Sequence, residues 1–390
     1  MSISFLITIA CVTILAPFSI DAYIPAVVDV ANGLNSSENL VQVSIAVFLL
    51  GFSLGPLIFG PLSDAFGRRK LIYSSLLLFS VFSILCSISF NIYLLIIFRF
   101  FQAVFGSVST VCGRAAFADI LSGNELAKKY SLLGLLLTVA PILAPIIGGW
   151  INEILGWRYI FIFMTIFGII LVVISYFYVH ETLPNEKRTK FNIENILFNY
   201  VLIIKNKTAL FYILFLSSSS AVFFAFLAAS PFLYIQKFNL TPIEYSYIFG
   251  AGALIAALSN IINIKLTALL GYREVIWWLC YLILANAIIL LLGGIGFFDR
   301  WSIYFSGLLF MGLFHIANAN SLTGLMDQFE KGKGAANALA ISIRFGFGML
   351  GAGFVSVMSN ETIYPYIFIV LIFSFLATIC GLIAIKEINK

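Results

Sequence analysis

Apolar runs long enough to cross a bilayer recur about every 30 residues along this chain, separated by short polar breaks, and each spanning helix needs about 20 mostly apolar residues. This pattern predicts spans near 3–28, 39–62, 70–90, 92–119, 127–152, 157–180, 208–235, 242–264, 274–295, 301–326, 335–358 and 362–386. Only Asn91 marks the edge between the third and fourth spans. One longer polar stretch, 181–207, separates residues 1–180 from residues 208–390. Within it, Phe191, Ile193, Ile196, Leu197 and Val201 predict a helix lying in the membrane interface. The expected fold is all-α and polytopic, with twelve transmembrane helices in two six-helix bundles and a linker between them.

Composition strengthens this picture. The 390 residues are 62% hydrophobic and only 10% charged, with a mean hydropathy of +1.07. A soluble core of this length cannot hide so much apolar surface. The segment from Ile3 has neither the basic n-region nor the cleavage site of a signal peptide, and it contains Asp21, so it is expected to be the first span. Cys11, Cys86, Cys112, Cys280 and Cys380 all fall in apolar runs without a C-x-x-C pair, which gives no support to a zinc site or a disulfide framework.

Charge supplies a direction. Of the 22 Lys and Arg residues, 16 fall in loops on one side of the predicted membrane. Arg158, Lys237 and Arg300 fall on the other side, and Arg99, Arg114 and Arg344 lie within spans. The positive-inside rule then places both termini in the cytoplasm of a multi-pass protein of the cytoplasmic (inner) membrane. The net charge of +5 is thus a topology signal and not a nucleic-acid footprint.

A short internal repeat supports two related halves. Leu62-Ser63-Asp64-Ala65-Phe66-Gly67-Arg68-Arg69 follows span 2, and Leu266-Thr267-Ala268-Leu269-Leu270-Gly271-Tyr272-Arg273 follows span 8. Parallel repeats of this kind occur in secondary transporters.

Several reaction classes lose support. The chain has no G-x-x-x-x-G-K-[ST], no H-E-x-x-H and no G-x-S-x-G, so neither ATP drive nor intramembrane hydrolysis is expected. Gly346-Phe347-Gly348-Met349-Leu350-Gly351 matches G-x-G-x-x-G formally, but it lies in an apolar span with no strand before it. No catalytic residue, metal or cofactor is expected. The expected partners are a small-molecule substrate, protons and the lipid bilayer, with the protein acting as a monomer.

Gly60-Pro61-Leu62-Ser63-Asp64-Ala65-Phe66-Gly67-Arg68-Arg69-Lys70 has the form G-x-L-x-D-x-x-G-R-R/K. In this loop it resembles the signature of the major facilitator superfamily. Asp21-Ala22-Tyr23-Ile24-Pro25 resembles the D-x-Y-x-P of the family's twelve-span drug:proton antiporters. Arg99-Phe100-Phe101-Gln102-Ala103-Val104-Phe105-Gly106 is similar to their R-x-x-Q-x-x-G element, with Ala103 where Gly often follows the Gln. The stretch from Ala140 to Gly149 is similar to their antiporter motif, where Pro141 and Pro145 kink the helix and Gly148 and Gly149 follow. Gly156-Trp157-Arg158 and Glu181-Thr182-Leu183 bracket span 6 as in the Bcr/CflA-like drug-resistance branch. These motifs cover residues 21–183. The second half matches mainly by topology and by its glycine-rich span 11.

The resemblance implies roles. Asp64, Gly67, Arg68, Arg69, Arg114 and Asp119 would form a cytoplasmic gate, with Asp119 the partner of Arg68. Spans 1 and 4 would line a central cavity reached by Tyr23 and Gln102. Asp21 and Arg99 each lie about seven residues from the outer end of their spans, or roughly 10 Å deep. Ionisable groups in the membrane are costly and point to function, and a nearby cation changes the proton affinity of a carboxylate. Asp21 and Arg99 are therefore the expected proton-coupling pair, either approaching each other or sharing the substrate. His315 and Asn318, three apart on one helix face, join Arg344, Phe223 and Phe224 as cavity candidates in the second half. Arg344 has two open readings, as the counter-ion of an anionic substrate or as a partner for Asp21. The expected function is proton-coupled export of small amphipathic or toxic compounds. The alternative is export of a specific anionic metabolite, such as a carboxylate-rich siderophore or metallophore.

Overall fold

The structure is a computed structural model that describes residues 3–120, 140–188, 191–297, 301–329, 332–358 and 362–387. Residues 121–139, which include the start of the fifth expected span together with Lys128 and Lys129, lie outside the described residues. So does the side chain of Arg114.

Among the described residues the protein is helical throughout, without strands. Eleven helical segments are long and apolar enough to cross a membrane, and Ala140–Leu155 is a shorter apolar helix. The first segment is broken: α1 (Ile3–Asp21) ends in a short turn containing the 3₁₀ segment Ile24–Ala26 before α2 (Val27–Gly33) resumes. There follow α3 (Glu38–Phe66), α4 (Arg68–Ser87), α5 (Ile92–Ile120), α6 (Ala140–Leu155) and α7 (Arg158–Tyr178). A thirteen-residue α8 (Ile193–Lys205) precedes α9 (Lys207–Pro231), which passes into a π-helical turn, Phe232–Lys237. The last five helices are α10 (Pro242–Leu270), α11 (Tyr272–Gly294), α12 (Trp301–Met326), α13 (Lys333–Met358) and α14 (Tyr364–Glu387).

Local chemistry sets the ends of these helices. The Ser37 hydroxyl accepts from the Leu40 N–H at the start of α3, and the Asn206 side chain accepts from Ala209 N at 3.1 Å at the start of α9. Thr241 and Glu244 form a reciprocal capping box at the start of α10, with Thr241 N to Glu244 Oε2 at 2.8 Å and Glu244 N to Thr241 Oγ1 at 3.2 Å. Such caps satisfy the first N–H groups, which have no partner within the helix. The two repeat loops share a backbone conformation: Gly67 has φ 96° and ψ 153°, and Gly271 has φ 81° and ψ 154°. A positive φ there is readily reached only without a Cβ.

The chain forms two compact units. Unit 1 holds Met1–Asn192 with Thr241–Gly250, and unit 2 holds Ile193–Leu240 with Ala251–Lys390. Large apolar side chains point outward from many spans, among them Ile166, Ile169, Ile170 and Val173 on α7 and Leu254, Leu258, Ile261 and Ile262 on α10. A surface of this kind suits hydrocarbon, not water. On α8, Ile193, Leu197, Val201 and Ile204 form one exposed apolar stripe, while Tyr200 and Ile203 are buried.

With no hydrophobic drive between helices in lipid, close contact depends on small residues. A Cβ on Gly106 of α5 would meet the Ala16 Cβ of α1 at 2.8 Å. A Cβ on Gly351 of α13 would collide with the Ala221 main-chain carbonyl of α9, and Gly348 accommodates the Phe224 ring. Gly351→Ala is therefore expected to destabilise the protein by about 1–3 kcal/mol through overpacking. Its thermal midpoint in detergent should fall by a few degrees. Gly334→Ala, where an added Cβ would meet nothing within 4 Å, should not lower the midpoint. Equal midpoints for the two variants would refute the close-packing account.

Candidate functional site

Among the described residues, three polar centres built around arginines stand out in the apolar interior. The first lies where α1 breaks. The spacing R-x-x-Q-x-x-x-G puts Arg99, Gln102 and Gly106 on one face of α5. Gly106 lets that face lie against Ala16, and Thr110 Oγ1 donates to the Thr13 carbonyl of α1 at 3.1 Å. Arg99 is 0% exposed. Its Nη1 donates to Gln102 Oε1 at 2.9 Å and to Ser19 Oγ at 3.3 Å. Gln102 Nε2 in turn donates to Ser83 Oγ at 2.7 Å. Three ring faces surround the guanidinium, with centroids 4.2 Å (Phe48), 4.5 Å (Tyr23) and 5.7 Å (Phe161) from its carbon. Such faces attract a desolvated cation. Nε and Nη2 have no hydrogen-bond partner.

Asp21 sits between Ser19 and Tyr23, both of which touch Arg99. It is 8% exposed. Among the described residues no ion pair joins Asp21 to Arg99, and no side-chain hydrogen bond engages the Asp21 carboxylate. The two expected partners thus share a neighbourhood without pairing in this conformation. Tyr23 is buried and its hydroxyl lies 3.1 Å from Ser44 Oγ. The glycines of the α6 motif abut this region. Gly148 lies against the Ala22 carbonyl, with no room for a Cβ, and Gly149 faces the Ser246 hydroxyl of the same unit. Pro141 and Pro145 lie within α6, each without an N–H to donate.

The second centre lies at the loop between α3 and α4. Arg68 Nε donates to Asp119 Oδ2 at 3.0 Å, and Nη1 reaches both Asp64 and the Ser63 hydroxyl. Thr182 Oγ1 donates to the same Asp119 oxygen at 2.9 Å. Glu181 accepts from the backbone N–H of Arg68 at 3.0 Å, placing an anion at the N-terminus of α4. It also accepts from Leu183 N at 3.1 Å and pairs with Arg188 at 3.5 Å. A Cβ on Gly67 would meet the movable end of the Glu181 side chain, so it is the positive φ that calls for glycine here. Arg69 turns away to the Tyr73 hydroxyl (2.6 Å) and the Tyr176 carbonyl (3.1 Å). The motif around Asp64 and the Glu181-Thr182-Leu183 element, about 115 residues apart, are one hydrogen-bonded assembly. The expected contribution of Arg114 lies outside the described side chains.

The third centre belongs to unit 2. Arg344 Nη1 donates to Asn318 Oδ1 at 2.7 Å. The guanidinium carbon lies 4.5 Å from the Phe345 centroid and 6.0 Å from that of Phe314. Phe314 stacks on Phe223 at 4.5 Å with an interplanar angle of 10°. His315 meets both rings edge-on, at 5.2 Å and 6.4 Å. Phe224 packs against Phe223 and Phe345. All the unit 2 residues expected from sequence therefore fall in one cluster. Phe314 and Phe345 were not expected, nor were Ser19, Ser83, Phe48 and Phe161 around Arg99. One Phe among 40 carries no sequence signal of its own, whereas adjacency to His315 and Arg344 could have drawn attention to Phe314 and Phe345.

Buried basic centres inside a fold of a dozen apolar helices define a polytopic membrane protein with a polar interior task. Residues 9–355 match the Major Facilitator Superfamily, and the chain belongs to that family of transporters. A relative described as a bicyclomycin resistance protein homolog, from Haemophilus influenzae, is 26% identical over 364 residues, which is 93% of this chain and 92% of the relative. The Bacillus subtilis MFS-type transporter YdgK is 36% identical over 243 residues, covering 62% of this chain and 60% of that one. In fold, the chain resembles a D-xylose–proton symporter (TM-score 0.74, 16% identity, 97% of each chain). It also resembles a peptide transporter solved with sulfate (TM-score 0.72, 13% identity, 99% of this chain and 94% of that one).

Asp119 and Asp64 differ in burial, which orders their contributions. The Asp119 side chain is 14% exposed and that of Asp64 is 47% exposed. Asp119→Asn should cost about 1–3 kcal/mol, since buried Arg68 then loses its main counter-charge. Asp64→Asn should cost under about 1 kcal/mol. Thermal unfolding of the two variants in one detergent checks the order, and a larger loss for Asp64→Asn would overturn it.

Proposed function

We propose that the protein is a proton-coupled antiporter that exports small amphipathic or toxic compounds from the cytoplasm by alternating access. The observation that carries this reading is Asp21, a buried carboxylate without an ion pair or side-chain hydrogen bond among the described residues, at a break in a membrane helix. A charged group so placed is costly in the membrane, and taking up a proton removes that cost. Arg99 is held beside the same turn by Ser19 and Tyr23, so a shift of α5 against α1 would alter its field at Asp21. Proton affinity would then follow conformation, which is what coupling requires. An inward proton brings about 2.3 kcal/mol per 100 mV of membrane potential.

Export as the direction draws on the antiporter motif of α6, whose Gly148 packs on the turn that holds Asp21, and on the relative described as a bicyclomycin resistance protein homolog. The basic loops support cytoplasmic termini, and in that frame the Arg68–Asp119–Glu181 assembly serves as a cytoplasmic gate. A second reading, export of a specific anionic metabolite such as a carboxylate-rich siderophore or metallophore, is favoured by Arg344. A multidrug exporter should protect cells from several unrelated cations, and an anion exporter should not.

Asp21→Asn is expected to abolish uphill transport driven by an imposed pH gradient in proteoliposomes. Solute exchange without a gradient should persist, because the helix packing is untouched. Undiminished gradient-driven transport by this variant would remove Asp21 from the coupling mechanism.

A further inference from the structure

The broken first span holds a second acid, Asp29, the sole Asp or Glu between Asp21 and the start of α3. It lies on α2 and accepts a hydrogen bond from Asn152 Nδ2 of α6, within unit 1. Asp29 is half-buried, whereas Asn152 is 6% exposed and its Oδ1 has no hydrogen-bond partner. Gly148 and Asn152 lie four apart on α6 and share a face. Gly148 meets the Ala22 carbonyl, next to Asp21, and Asn152 meets Asp29. Four residues of helix rise about 6 Å. One face of α6 therefore runs from the turn that holds Asp21 to the Asp29 carboxylate within about one helical turn. In the frame with cytoplasmic termini, Asp29 lies on the outer side of Asp21.

The partner of Asp29 is an amide, which suits a group that takes up and loses a proton. A lysine or arginine would favour the ionised carboxylate. An amide carries both a donor and an acceptor. Nδ2 serves the carboxylate, and Oδ1 can serve the protonated acid once the amide turns over. Asn152 can thus hold Asp29 in either protonation state. The titratable groups on the elements around α2 are Tyr23 at the turn, Glu38 on α3, Glu153 on α6, and Arg158 and Tyr159 on α7. Arg158 donates to the Ser89 carbonyl at 3.0 Å and lies over the Trp157 ring at 4.1 Å. Among the described residues no ion pair joins it to Asp29.

We propose that Asp29, held by Asn152, is a proton relay between the outer surface and Asp21. A proton from outside adds to an Asp29 oxygen. That O–H bond then breaks as the proton passes through water to the Asp21 carboxylate, and the Asp29 carboxylate is restored. This rests on the reading of the protein as a proton-coupled antiporter with Asp21 as the carrier, and it adds the group that supplies the carrier.

The test uses the full chain in proteoliposomes, with ethidium, tetraphenylphosphonium and citrate as probes. Asp29→Asn keeps the side-chain shape and removes the titrating proton. It should slow pH-gradient-driven movement at least tenfold and change gradient-free exchange less than twofold. Lowering the pH on the proton-donating side by two units should recover most of the lost rate, because direct delivery from solution then replaces the relay. Asp29→Glu should restore driven movement to within threefold of the unmodified protein. If Asp29→Asn fails to fold, Asp29→Ser, also without a titrating proton, carries the test. Driven movement undiminished in the folded variant overturns the relay. So does an equal loss of driven movement and exchange, or a loss that neither acid nor Asp29→Glu recovers, since a purely structural role gives those results. The unmodified protein separates the two proposals. If it moves a probe uphill while Asp29→Asn matches it, the relay alone fails; if it moves none of the three uphill, antiport fails and the relay with it.

Discussion

Placing a full charge in a hydrocarbon slab is expensive, and protein around it must replace the water it has lost. Most of the conspicuous features of this chain are answers to that constraint. Arg99 is surrounded by two hydrogen-bonding side chains and three ring faces. Arg68 has two carboxylates and a hydroxyl. Arg344 has an amide oxygen and aromatic rings. The three solutions differ in how much they leave open. Arg68 is neutralised within its own assembly. Arg99 is desolvated and, among the described residues, has no ion pair with Asp21. Arg344 is half-buried, with the Asn318 amide oxygen and the Phe345 ring against its guanidinium.

These environments depend on helices lying closer than ordinary side chains allow. Gly106 brings α5 onto α1, so Arg99 reaches Ser19, and Gly148 brings α6 onto the carbonyl next to Asp21. In unit 2, Gly348 and Gly351 bring α13 onto α9, which sets Phe224 against Phe345 beside the Arg344 guanidinium. Glycine spacing in the spans is thus part of the electrostatics. A methyl group at any of these positions would strain the packing that surrounds a charged group.

The spans were legible because a bilayer imposes length and apolarity on every one of them. The expected edges of α3, α5, α9, α12 and α13 fall within about four residues of the observed ones. The break of α1 after Asp21 was less legible, since Pro25 starts the second piece and does not end the first. Within the sites, acids and bases announced themselves because they are rare, at 10% of residues. Their partners did not. Ser19, Ser83, Phe48 and Phe161 are ordinary residues until tertiary packing sets them around Arg99, and the docking of Glu181 and Thr182 on the α3–α4 loop spans more than a hundred residues.

The two repeat loops show how one backbone device can carry unlike chemistry. Gly67 and Gly271 turn the chain in the same way. After α3 the turn leads into a charged assembly around Arg68. At the end of α10 a neutral amide cluster, with Asn320 Nδ2 donating to Asn263 Oδ1 at 2.7 Å and Thr267 Oγ1 3.1 Å from Asn320 Oδ1, lies near Arg273, whose guanidinium sits over the Tyr272 ring at 5.7 Å. Unit 1 also holds Asp21, the acid proposed to carry the proton, while the helices around Arg344 in unit 2 carry none. Among the described residues, the ion pairs of Arg68 with Asp64 and Asp119 and of Arg188 with Glu181 all lie in unit 1.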